Sequence, residues 1–393
     1  MDNKEYFKDF NQPDAQYRGI PFWAWNGKLE ISELRRQIRV MKQMGLGGFF
    51  MHSRVGLATE YLGKEWFDCV NACADEAEKN GLKAWLYDED RWPSGAAGGM
   101  VTSDHQYRRK LLMLEECDSF DVLAITPAST ALFAATVKNG VYAKARRLPL
   151  EFSPKELNAN EKLLHFYIKT MDDEDWFNGQ AYLDVLSIEA VRKFIDVTHE
   201  KYLKEVGDKF GSIIPGIFSD EPYFAYAFEE NSGKCSITWS DKLPEFFLER
   251  CGYDIVDHLP ELFFNLETAI PLQARYHYFD CVTAMFVKAF AEQIGTWCGA
   301  HGLSFTGHVM NEDSLSAQSS CIGSCMRFYE HMQIPGIDQL TEIFRNYDTA
   351  KQVSSAARQF GRKWRLTETY GCTGWDFSLG GHRALGDWQV ALG

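Results

Sequence analysis

Two glutamates occupy matching places in this sequence. Glu221 closes the run Gly216-Ile217-Phe218-Ser219-Asp220-Glu221 ahead of Pro222, and Glu368 closes Trp364-Arg365-Leu366-Thr367-Glu368 ahead of Thr369-Tyr370-Gly371. Each is a short apolar run that ends in an acid and then turns. Two carboxyl groups held face to face can serve one acetal bond, as general acid and general base or as acid and nucleophile. Separation decides between these roles: roughly 6.5–9.5 Å leaves room for a water and inverts the reacting carbon, while roughly 5–5.5 Å retains it. Asp220, Tyr223 and Phe224 offer Glu221 negative charge and apolar surface, so Glu221 is read as the acid. Thr367, Thr369 and Tyr370 can hydrogen-bond an ionised Glu368, so Glu368 is read as its base.

A third run, Ala84-Trp85-Leu86-Tyr87, ends in Asp88-Glu89-Asp90 and is followed by Arg91 and Trp92. Three acids cannot lie buried together without a cation or an arginine. Arg91 is one partner; calcium through oxygen ligands, or sugar hydroxyls at an open mouth, are the others. His52 and Arg54 follow the apolar run 47–51, and His308 and Glu312 follow 303–307. A histidine at a strand end can bind a substrate hydroxyl, support a carboxylate or be structural. The expected substrate contacts are therefore His52, Arg54, Asp88, Glu89, Asp90, Trp92, Asp220, His308, Glu312 and Tyr370. No HxH, HExxH, GxSxG, P-loop or GxGxxG pattern is present, so zinc hydrolase, serine hydrolase and nucleotide-binding readings lack their signatures.

Side chains that must converge need a scaffold that brings them together. Residues 17–25, 47–51, 82–87, 213–218, 303–307, 337–340 and 364–367 read as seven strands, apolar along their length as strands covered on both faces are. Helices are expected at 31–44, 65–79, 187–206 (N-capped by Ser187), 271–298, 349–360 and 382–392. Strand–helix alternation with parallel strands defines an α/β protein of the (β/α)8 TIM-barrel type, in which the C-terminal strand ends build one site. No eighth strand is visible. The chain is thus read as a fragment truncated before that strand, expected to associate through its open edges. Between 105 and 180 the alternation gives way to β-type runs at 111–114, 122–125, 131–137 and 163–168, with a turn signal at Asn139-Gly140. This divides the chain into barrel (1–104), a β-rich insertion after strand 3 (105–180) and barrel again (181–393). Residues 223–267 read as irregular chain folded over the mouth.

The 393 residues carry a net charge of −14, which argues against non-specific nucleic-acid binding. The N-terminus has no signal-peptide run and no segment approaches the roughly 20 apolar residues of a membrane span, so a cytoplasmic protein without a membrane partner is expected. The 10 cysteines form no CxxC pair and read as reduced thiols. Eleven tryptophans supply either core or platforms on which sugar rings stack.

Five segments together resemble glycoside hydrolase family 106, the α-L-rhamnosidase type, and the large bacterial proteins related to it. They are Pro21-Phe22-Trp23-Ala24-Trp25-Asn26, Gly47-Gly48-Phe49-Phe50-Met51-His52-Ser53-Arg54, Tyr87-Asp88-Glu89-Asp90-Arg91-Trp92-Pro93-Ser94-Gly95, Phe218-Ser219-Asp220-Glu221-Pro222 and Thr367-Glu368-Thr369-Tyr370-Gly371. The resemblance implies a catalytic barrel with appended β-domains, hydrolysis of a terminal sugar such as α-L-rhamnose by two glutamates with inversion, and calcium near the site. The glutamates map to Glu221 and Glu368. Two other readings remain: a non-catalytic carbohydrate-binding barrel, and a metal-dependent barrel enzyme with Asp88, Glu89 and Asp90 as ligands.

Overall fold

The computed structural model describes residues 10–117, 125–138, 141–151, 157–158, 160–225, 235–266, 273–343 and 345–393. The Asn139-Gly140 turn, most of the 122–125 run and the start of the helix expected at 271 lie outside them. The chain first lays down β1 (Phe22–Trp25), β2 (Gly48–Ser53) and β3 (Lys83–Tyr87), joined by helices Ile31–Gln43 and Lys64–Asn80. Leu34 and Ile38 bury one face of the first helix, and the second ends on Gly81 at φ +65°, a left-handed conformation that favours glycine. The chain then leaves for β4 (Lys110–Cys117), β5 (Ser129–Lys138), β6 (Val141–Leu148) and β7 (Lys162–Thr170). It returns through helices Ile188–Val197 and His199–Val206 to β8 (Gly216–Ser219). After β9 (Cys235–Trp239) and the short β10 (Asn265–Leu266) come β11 (Ser304–Gly307), β12 (Ile334–Gln339) and β13 (Leu366–Thr369).

Seven parallel strands form one curled sheet in the order β1-β2-β3-β8-β11-β12-β13, a (β/α)8-type barrel without an eighth strand among the described residues. Nothing pairs β1 with β13. At the base of that gap the Tyr17 ring meets Trp364 edge-on, with centroids 5.3 Å apart. Inward positions alternate along each strand, as the two-residue period requires. Phe22, Phe50, Trp85, Tyr87, Phe218, Ile334 and Leu366 plug the interior. Phe49, Leu86, Ile217 and Phe305 face the helices instead. Continuing the alternation past the plug brings polar side chains inward at the C-terminal strand ends: His52, Glu89, Asp220, His308, Asp338 and Glu368.

Three elements depart from the sequence reading. The helix expected at 187–206 has its Ser187 cap, which accepts from the Ala190 amide, but breaks at Thr198. The Thr198 hydroxyl turns back to the Phe194 carbonyl at 2.6 Å, a local bond that competes with the helix ladder. The long helix is described from Gln273 and widens to a π turn over Val287–Glu292. The insertion forms a six-stranded sheet, β10-β6-β5-β7-β4-β9. It recruits β9 from the stretch read as irregular, pairing it antiparallel with β4 from Lys110↔Trp239 to Leu114↔Cys235. β6 escaped sequence reading because Lys144, Arg146 and Arg147 mask its pattern. The ten cysteines are free thiols, most of them buried. No helix among the described residues is long and apolar enough to cross a membrane.

Candidate functional site

The C-terminal strand ends open on a cleft of about 310 Å³. Arg54 lines it from the end of β2, Glu89, Asp90, Arg91 and Trp92 from the loop after β3, and Asp220 and Glu221 from the end of β8. Asp338 and Glu368 come from β12 and β13, where they are register neighbours, and Trp176 comes from the insertion. A second pocket of about 190 Å³ shares Glu221, Asp338 and Leu340 with the first and adds Asn311, Glu312 and Asp313. Glu221 and Asp338 thus stand between two compartments. The backbone around the mouth is strained. Glu221, Asn311, Thr341 and Tyr370 all have φ between +46° and +71°, which for non-glycine residues costs on the order of 1–3 kcal/mol each and collects at functional sites.

His308, with no exposed side-chain surface, lies beneath the cleft as its electrostatic hub. Its Nε2 is 3.1 Å from Asp220 Oδ1, 3.6 Å from Glu368 Oε2, 3.9 Å from Asp338 Oδ2 and 4.0 Å from Glu221 Oε1. None of these contacts has the direction of a hydrogen bond, so they act as ion pairs. Burial opposes a charged imidazole, but contact with Asp220 and the charges of Glu368 and Asp338 outweigh it and raise the His308 pKa well above the ordinary value. Asp220, although buried, is drawn below the ordinary carboxylate range by His308 and by the Tyr87 hydroxyl, which donates to it at 2.6 Å.

Burial first, then neighbouring Asp220 and Asp338, push Glu221 up to about 7 and Glu368 to about 8, with His308 opposing both. Asp338 rises to about 6, chiefly through burial. Burial and Asp220 raise Glu221 as the sequence reading expects, while the hydrogen bonds around the two carboxyls differ from those it expects. Glu221 accepts a 2.7 Å hydrogen bond from the Trp92 indole, which favours its ionised form. No hydrogen bond reaches the Glu368 carboxylate among the described residues. The Thr367 hydroxyl faces the Glu368 carbonyl, and Tyr370 packs on His382 at 4.6 Å, away from the cleft.

The Asp88-Glu89-Asp90 run is split by strand alternation. Asp88 is wholly buried and outside the cleft. It accepts from Ser94 Oγ at 2.6 Å and from Ser219 Oγ, with His199 Nε2 3.9 Å away, and burial raises it to about 7. Asp90 accepts from Ser53 Oγ. Glu89 points inward, with Oε1 3.3 Å from His52 Nε2. Burial depresses His52 to about 3 and raises Glu89 well above its ordinary value, and the imidazole stacks on Tyr87 at 3.7 Å. Glu312 lies in the smaller pocket, held by the Tyr329 hydroxyl at 2.9 Å and the Asp338 amide at 2.5 Å. Asp88→Ala leaves two buried hydroxyls without their acceptor. It is expected to cost about 1–3 kcal/mol in a urea titration while leaving ligand affinity unchanged.

Sequence reasoning passed over Asp338 and Trp176, and read Arg91 only as a partner for Asp88, Glu89 and Asp90. The strand read at 337–340 starts three residues after the observed β12, so the inward series Ile334, Gly336, Asp338 was not recognised. Trp176 sits in a turn of the insertion, where its indole donates to the Trp92 carbonyl at 2.5 Å; nothing local signals this.

Two trios of metal-capable side chains exist among the described residues, Asp220-His308-Glu368 and Glu221-His308-Asp338, each with donor atoms within 4.8 Å. Both require the His308 nitrogen. Calcium takes six to eight oxygens, and an imidazole with two carboxylates suits a transition metal instead. The calcium expected from the resemblance does not fit these trios, nor does it fit Asp88, whose oxygens accept from Ser94 and Ser219, or Asp90, whose oxygens accept from Ser53 and Asn178.

No family model and no curated protein matches the chain. Among solved structures, a rhamnosidase from Novosphingobium sp. PP1Y aligns over 98% of this chain and 55% of its own, at 13% identity and a TM-score of 0.69. The chain therefore spans about half the length of that rhamnosidase. The catalytic domain of a β-amylase from Paenibacillus polymyxa aligns over 95% of this chain and 91% of its own, at 11% identity and a TM-score of 0.45. The rhamnosidase likeness is one of fold, a (β/α) barrel.

Proposed function

We propose that the protein is a glycoside hydrolase in which Glu368 is the general acid and Glu221 the general base. The observation that carries this is a pair of half-buried carboxyls, with pKa values raised to about 7 and about 8, flanking one histidine at the mouth of a barrel and lining one cleft with Trp92 and Trp176. Both oxygens lie within 4.0 Å of His308 Nε2. They can stand no further apart than twice that distance, inside the ~9.5 Å upper limit of inverting pairs. The proton of Glu368 goes to the glycosidic oxygen as its bond to the anomeric carbon breaks. Glu221 takes a proton from the water whose oxygen bonds that carbon. The rhamnosidase likeness in fold and the segments resembling family 106 make α-L-rhamnosides the first substrates to test. The test is a screen of aryl glycosides with the first-formed anomer read by proton NMR; the expected result is cleavage with inversion. Sugar binding without cleavage of any glycoside would instead support a carbohydrate-binding barrel.

A further inference from the structure

Acids reach the cleft from the ends of β3, β8, β12 and β13, and its two arginines, Arg54 and Arg91, come from the ends of the neighbouring strands β2 and β3. Arg54 is exposed in the cleft, and no hydrogen bond or ion pair reaches its guanidinium among the described residues. That is unusual in a chain of net charge −14, within a cleft lined by carboxylates. Arg91 Nη1 donates to the Asp90 carbonyl at 3.0 Å and stands 3.8 Å from the Asp90 carboxylate, which already accepts from Ser53. Two other acids of the cleft are engaged elsewhere: Glu89 faces His52, and Asp220 faces His308 and Tyr87.

We propose that Arg54 and Arg91 hold an anionic substituent of the sugar substrate, a carboxylate or a sulfate, while Trp92 and Trp176 wall the ring between them and Glu221. The proposal rests on the glycosidase reading and names its substrate class. A guanidinium presents a planar fork of donors that matches a carboxylate or sulfate edge. The cleft's acids would repel such a group only if ionised. Burial raises Glu89 and lifts Glu368 to about 8, and His308 Nε2, within 4.0 Å of Asp220, Glu221 and Asp338, offsets those three.

Binding of D-glucuronate, D-glucose and D-glucose 6-sulfate to the full chain, measured by titration calorimetry, tests this without requiring catalysis. The acidic sugars are expected to bind roughly tenfold or more tightly than glucose, less so at high salt. Arg54→Gln and Arg91→Gln should each remove most of that preference; Arg54 is exposed, so its variant tests recognition without loss of fold. Preference for glucuronate alone identifies a carboxylate, and equal binding of both anions a general anion site. Equal binding of glucose and glucuronate, no binding of either acidic sugar, or a preference that survives both substitutions overturns the proposal. Acidic sugars that bind while no glycoside is cleaved would leave this inference standing and remove the hydrolase reading. Cleavage of neutral glycosides with unchanged KM in Arg54→Gln, alongside equal binding, would do the reverse.

Discussion

Glu368→Gln is expected to lower turnover of an aryl glycoside with a poor leaving group roughly 10²–10⁴-fold, and Glu221→Gln by a similar factor. The two losses are distinguishable. A general acid matters less as the leaving group improves, so a dinitrophenyl glycoside should restore much of the Glu368→Gln rate and little of the Glu221→Gln rate. The pH profile carries the same assignment. Activity requires Glu368 protonated and Glu221 ionised, so kcat/KM should rise as pH approaches about 7 and fall above about 8. Glu368→Gln should lose the alkaline limb and Glu221→Gln the acidic one. If the leaving-group rescue appears in Glu221→Gln instead, the roles are those read from the sequence, and the Trp92 hydrogen bond does not set the order. If neither substitution changes turnover, the pair is not catalytic.

The parts of this site that could be read from sequence were those signalled within a single strand. Glu221 and Glu368 each end an apolar run, and the barrel rule predicts where such ends meet. The seven strands were legible because strands covered on both faces are apolar along their length. What sequence did not show depends on pairing between distant segments. β9 is a strand because the edge of β4 is open to it, and Trp176 reaches the cleft only because the insertion folds over β3. Asp88 illustrates the cost of reading a charge cluster without its register. Three consecutive acids look like one site, but alternation sends Glu89 inward and Asp88 outward, where serine hydroxyls replace the cation that proximity seemed to demand. The hydrogen-bond support expected for Glu368 was misplaced for a related reason: Thr367, Thr369 and Tyr370 neighbour it in sequence, but none of them hydrogen-bonds its carboxylate.

His308→Gln should destabilise the fold by about 3–5 kcal/mol near pH 5 and by less as pH rises towards the folded pKa of His308, the cost of removing one partner from a buried ion pair with Asp220. The sign follows from the protonation of the cluster. His308 has its folded pKa raised, so its stabilising contribution is complete below its unfolded value near 6.5 and is lost only as pH rises through the higher folded value. Burial raises Glu221, Asp338, Glu368 and Glu312 to about 7, 6, 8 and 8. Each therefore favours the folded state fully only below its ordinary carboxylate value and loses that contribution as pH climbs to the raised one. Asp220 works in the opposite sense, but its folded value lies below the ordinary 3.8, outside this window. The Tm of the unmodified protein should accordingly fall as pH rises from about 5 to about 8. In His308→Gln the ionised Asp220 loses its imidazolium near pH 5, where the His308 contribution is complete, and the loss is largest there. Near pH 8 the contribution of His308 is already declining in the unmodified protein, and the loss is smaller. Urea unfolding at the two pH values measures the difference directly. Should the variant not fold at all, the slope of Tm against pH in the unmodified protein still decides. A flat or rising slope, or an equal loss at both pH values, would mean that His308 serves the barrel by packing and not by charge.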